Sequence, residues 1–250
     1  ADFAPRAAVV YLPPAALVAD PPALPVVVAL SGQPGTPADV FSSAGVSSIA
    51  ERIADRNGGV APIVVVPDQL GDPSTNPMCV DSARGESETY LTVDVPAWID
   101  EHLNVSTDRE AWTIAGFSQG GTCAIQLGGS RPDLFGSLID ISGERVPSLG
   151  DPEVTLRDGF GGDEEAYLAA QPQQILADGA PYPDSVAVFV VGSEDRRYAD
   201  YMQAVSTAAT EAEMTVFTEI APRSGHDWNT AAYGFETGFA LLLDRWGVTR

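Results

Sequence analysis

Ala111-Trp112-Thr113-Ile114-Ala115-Gly116-Phe117-Ser118-Gln119-Gly120-Gly121 leads from an apolar, strand-sized run through a glycine-bracketed serine into a helical pattern. Within it, Gly116 to Gly120 match G-x-S-x-G. Glycine is common here, with 24 in the chain, so the bare motif carries little weight. Its position between a predicted strand (residues 111–115) and a predicted helix (119–128) carries much more. A serine lifted clear of a sheet must sit on a sharp, strained turn. Side chains two residues to either side would then collide with the neighbouring strand and helix. Gly116 and Gly120 remove them, and Gly121 permits still closer packing.

Working outward, the chain alternates the two periodicities. Residues 7–12, 25–30, 62–67, 138–141, 186–191 and 215–220 read as strands. Residues 41–56, 88–103, 198–212 and 229–246 have the spacing or length of helices. Strands alternating with helices imply an α/β fold, with a mostly parallel central sheet covered by helices on both faces. Residues 147–184 are rich in Pro, Gly and acidic positions, with one short helix expected near 164–170. They read as an excursion or cap on a single domain spanning 1–250. The 250-residue length suits one such domain.

Several stretches together resemble the esterase-D and mycolyltransferase-type family of α/β-hydrolases. They are residues 88–99, the strand and turn through Gly121, Val10-Tyr11-Leu12-Pro13-Pro14, Leu30 to Gly35, Val65-Val66-Pro67-Asp68 and Gly225-His226-Asp227-Trp228. The Ala-rich, Lys-free composition also resembles that of actinobacterial chains. The resemblance implies serine–acid–histidine acyl chemistry on an α/β-hydrolase fold, with no cofactor and no metal. Relatives include feruloyl, acetyl, siderophore and formylglutathione esterases and actinobacterial mycolyltransferases. The early turn departs from many relatives, which have a histidine before Gly32 where this chain has Ser31.

A serine hydroxyl needs a base to accept its proton, and the chain has only 2 histidines. In α/β-hydrolases the chain order is serine, acid, histidine, with the base in the last loop. His226 fits that order. His102 lies before the serine and reads as a helix-end residue. The acid should follow a late strand, which makes Asp195 the first choice. Glu194 would serve if the turn were one residue shorter, and Glu144 if the acid came from the preceding strand. Oxyanion donors should be the backbone N–H groups of Gln119, next to the serine, and of Gln33, in the loop after the second strand. Because both are main-chain donors, the two Gln side chains should matter less than these roles suggest. Met78, Tyr90, Phe117, Trp228 and the 147–184 excursion are candidate pocket walls.

Cys79 lies in a loop expected to hang over the catalytic end of the sheet, and Cys123 lies on the helix behind Ser118. A disulfide between them is the expectation, and it would imply an oxidising compartment. Acidic residues number 35 against 13 basic ones, all Arg, for a net charge of −22. That excludes nucleic-acid binding, since phosphates would be repelled. Solubility in salty or extracellular conditions is one reading of the charge; an acidic funnel for a cationic substrate is the sharper one. No run is long enough to span a bilayer. The start at Ala1, with neither an initiator Met nor a signal peptide, reads as a mature or excised chain. A membrane anchor or further domain ahead of it is then an expectation.

The sequence therefore points to a secreted or envelope serine esterase acting on a small-molecule or lipid ester. An acyltransferase would use the same residues. A catalytically silent binding module would be favoured by loss of Ser118 or of the late histidine, and both are present.

Overall fold

In the computed structural model, which describes residues 1–248, β-branched and apolar runs make the strands of the large sheet. These are β1 (Val9–Tyr11), β2 (Val26–Leu30), β3 (Ile63–Val66), β4 (Trp112–Phe117), β5 (Ser137–Ile141), β6 (Val186–Gly192) and β7 (Thr215–Ala221). They pair in the order β1-β3-β2-β4-β5-β6-β7, and every pairing is parallel except that of β1 with β3. Alternate side chains serve opposite faces. Val26, Val28 and Leu30 enter one apolar cluster, while Val27 and Ala29 enter the other.

Eight helices matter for placing the site. They are α1 (Pro37–Ser42), α2 (Val46–Arg56), α3 (Val95–His102), α4 (Gln119–Ser130), α5 (Glu164–Ala169), α6 (Pro172–Gly179), α7 (Arg196–Glu211) and α8 (Trp228–Leu242). The first face packs on α3, α4, α6 and α7 through Ile99, Ala124, Leu176 and Val205. The second packs on α1, α2 and α8 through Val40, Ile49, Phe235 and Phe239. Strands buried on both sides need continuous apolar runs, which is why β2, β3 and β6 lack a polar residue.

Three local readings change. The single helix expected over residues 41–56 is two, α1 and α2. Thr36 and Asp39 form a capping box that starts α1 early, and Gly45, at φ 68°, turns the chain between them. The helix ending at His102 begins at Ser87 and widens into a π turn at Tyr90–Asp94, just before Pro96, whose missing N–H cannot serve a regular turn. The 147–184 excursion holds more helix than expected. Pro172 opens α6 at a position where no N–H is needed, and the Asp151 carboxylate caps a short helical turn at Pro152–Val154.

The register matters most for function. Leu30 pairs with Gly116 and Phe117 with Ile141, so neighbouring parallel strands end together. The segments following β2, β4, β6 and β7 therefore converge at one end of the sheet, where α/β folds bind their ligands.

Candidate active site

Ser118 stands between the last residue of β4 and the first of α4, with φ 57° and ψ −119°. A non-glycine residue at that φ is strained. Its N–H donates to the Ile141 carbonyl at 2.8 Å, and its own carbonyl accepts from the Thr122 N–H at 3.0 Å. The glycines act as expected. A Cβ at Gly116 would strike the Gly120 carbonyl, and one at Gly120 would lie 2.5 Å from the Ser31 carbonyl oxygen and 2.7 Å from that of Leu30. A Cβ at Gly121 would run into the buried Asp140 carboxyl, whose pKa burial pushes up to about 7.

The Ser118 hydroxyl does not cap its helix; it lies 2.8 Å from His226 Nε2. His226 Nδ1 lies 3.1 Å from Asp195 Oδ2. A carboxylate only accepts, so Nδ1 carries the proton and Nε2 is left to accept from Ser118. The other Asp195 oxygen accepts the Tyr198 N–H, capping α7. Of the three acids weighed, Asp195 alone meets the imidazole. Glu194 is exposed, and Glu144 faces the pocket without touching the ring. His102 packs far off against Trp98. The Tyr198 ring stacks on the imidazole at 3.9 Å between centroids, and Phe117 lies at 5.0 Å. This partial burial holds the His226 pKa below that of an ordinary histidine, against the opposing pull of Asp195.

Gln33 and Gln119 flank the serine. A Cβ at Gly32 would lie 3.4 Å from that of Ser118, so the loop after β2 abuts the turn. Neither backbone N–H gives a hydrogen bond to another backbone carbonyl among the described residues. The side chains differ. Gln33 is partly exposed and donates to the Ser74 carbonyl. Gln119 is buried in an amide network. It accepts from Gln69 at 3.0 Å and donates to the Asn76 oxygen at 3.0 Å, while Asn76 donates to the Ser148 carbonyl. The Gln119 side chain therefore matters more to stability than a main-chain role implies.

Cys79 and Cys123 form a disulfide across 44 residues, tying the loop that carries Ser74 and Asn76 to α4. The Arg6 guanidinium grips the fully buried Asp68 carboxylate at 2.6 and 2.8 Å and donates to the Gly35 carbonyl, bracing the loop after β2. No sequence pattern flags Gln69, Asn76 or Arg6, which look like ordinary polar loop residues.

The pocket above Ser118 has a volume of about 590 Å³. Its walls are more polar than expected, with Arg84, Glu144, Asp158 and Tyr198 beside His226. Leu149, Gly150 and Val154 bring the excursion to its rim. Of the expected walls, Met78 is buried in a small crevice behind it, and Tyr90 lines a separate apolar groove with Trp98. Phe117 and Trp228 pack together instead, Phe117 beneath the imidazole. No group of three or more His, Cys, Asp or Glu side chains among the described residues is placed to hold a metal.

A mostly parallel sheet with a serine on its sharp central strand-to-helix turn defines an α/β-hydrolase. The chain belongs to the esterase family described as "Putative esterase", whose model matches residues 4–236. An uncharacterized protein of Corynebacterium glutamicum is 35% identical over 98% of the chain, which spans 59% of that relative's length and supports an actinobacterial setting. Among solved structures, the S-formylglutathione hydrolase of Agrobacterium tumefaciens matches with a TM-score of 0.79 at 21% identity, over 96% of this chain and 90% of that one. A ferulic acid esterase of Anaeromyces mucronatus matches with a TM-score of 0.68 at 19% identity, over 92% and 82%. At these identities the structural likeness speaks for the fold, and the family speaks for ester chemistry.

Proposed function

We propose that this protein hydrolyses carboxylic esters through an acyl-enzyme, using Ser118, His226 and Asp195. The observation that carries the reading is the continuous chain from the Ser118 hydroxyl to His226 Nε2 at 2.8 Å and from Nδ1 to Asp195 at 3.1 Å. His226 takes the serine proton as Oγ attacks the ester carbonyl, then returns it to the departing alcohol. A water molecule, deprotonated by the same imidazole, releases the acid. Asp195 fixes the tautomer and stabilises the imidazolium. The Gln33 and Gln119 N–H groups stabilise the tetrahedral oxyanion, each removable donor being worth about 3 kcal/mol in comparable sites.

The ester is an extracellular or envelope one. The disulfide favours an oxidising compartment, and no described helix is long and apolar enough to cross a membrane. Fluorophosphonate labelling of the wild type and of Ser118→Ala tests the nucleophile. Labelling is expected in the wild type alone, and a labelled variant would place the reactive serine elsewhere.

A further inference from the structure

Resting on the ester-hydrolase reading, we infer that the preferred substrate is an ester carrying a protonated amine, and that Glu144 is the residue that selects it. Three charged side chains line the pocket together with the serine–histidine pair: Arg84, Glu144 and Asp158. Asp158 is occupied, since Arg157 holds both its oxygens at 2.6 and 2.8 Å. Arg84 donates from Nε to the Asn76 carbonyl at 3.2 Å. Glu144 is different. Its backbone N–H is fixed on the hydroxyl of Thr122, in the first turn of α4, at 2.8 Å. Its carboxylate takes no hydrogen bond and no salt bridge among the described residues, although burial raises its pKa. Arg197 acts on Glu144 only through space, partly offsetting the effect of burial; it is exposed and turned to Tyr201, donating to its hydroxyl at 3.0 Å.

A partly desolvated carboxylate without a partner is costly unless a ligand supplies one. A neutral hydroxyl would give it a hydrogen bond and leave the charge uncompensated. An ammonium group supplies both hydrogen bonds and opposite charge. The net charge of −22 raises the local concentration of cationic esters and repels anionic ones. Glu144 is thus a recognition group, and orienting the imidazole is left to Asp195.

Two matched ester pairs test this by the ratio of kcat/KM within each protein. 2-(Dimethylamino)ethyl acetate against 3-methylbutyl acetate places the protonated amine in the alcohol half, and glycine ethyl ester against ethyl propionate, at a pH where its amine is protonated, places it in the acyl half. The wild type is expected to favour the cationic member of at least one pair by roughly tenfold, and the ratio should shrink in raised salt. In Glu144→Gln it should fall toward one. Equal or better turnover of the neutral member in both pairs overturns the inference, as does a preference that survives Glu144→Gln. Should that variant fail to fold, Glu144→Ala takes its place under the same two outcomes, since the net charge of −22 gives the wild type a salt-dependent preference without Glu144. Wild-type hydrolysis of p-nitrophenyl acetate and labelling of Ser118 read ester chemistry separately. With them present and no cation preference, the ester reading stands and this inference falls; with them absent, both fall.

Discussion

Ser118 and His226 meet at 2.8 Å, yet they are held in opposite ways. The serine is 9% exposed, locked between β5 and α4 by backbone hydrogen bonds, with a disulfide and an amide network immediately behind it. The histidine side chain is 29% exposed, on a loop, positioned by one carboxylate and a stacked tyrosine ring. The proposed nucleophile is thus part of the core, whereas the proposed base is an attachment to it. Damage to the serine side should therefore read out as stability, and damage to the histidine side as activity.

Asp195→Asn gives the largest expected effect. It should lower kcat/KM by about 10⁴-fold, because an amide no longer enforces the tautomer with Nδ1 protonated. The melting temperature should barely move, since Asn caps a helix as well as Asp does. A large stability loss would show that the base side is structural after all. Next comes the disulfide. Replacing Cys79 and Cys123 together by Ala should reduce unfolding free energy by about 4 kcal/mol in the chain-entropy account of a loop this long, measured by urea denaturation. An unchanged midpoint would remove the clamp from the contrast.

The smallest effect is expected from Tyr198→Ala, with kcat/KM roughly tenfold lower as the imidazole loses its stacked support. Burial lowers the His226 pKa, so the neutral, proton-accepting form persists to lower pH than for an ordinary histidine near 6.5. The wild-type rate should accordingly fall with acid at a midpoint below that value. With the ring removed and water admitted, the midpoint should rise. A midpoint that stays fixed would mean that Tyr198 does not shield the imidazole.

The same contrast explains what could be read from the sequence. The strand cores and the serine turn follow from strictly local constraints: β-branched runs bury on both faces, and only glycine fits at 116 and 120. The histidine that meets Ser118 can be singled out in the sequence because only 2 exist. The acid stayed open among 144, 194 and 195, because its identity depends on where β6 ends and how the next turn points a side chain, which periodicity does not encode. Pro172 lies in a stretch whose Pro, Gly and acidic content marks it as an excursion, yet it starts a helix. The links of Gln69, Gln119 and Asn76 were illegible, since they join residues 43 and 50 positions apart and any one of them alone resembles a surface amide.

Asp195 divides its two oxygens between the first turn of α7 and the imidazole. The rotational setting of a sixteen-residue rod is therefore coupled to the proposed proton transfer through a single side chain. Fraying of that rod at its start would tilt the ring away from Ser118 without disturbing any strand, so quenching of turnover could precede global melting on heating, with the loss confined to one face of the molecule.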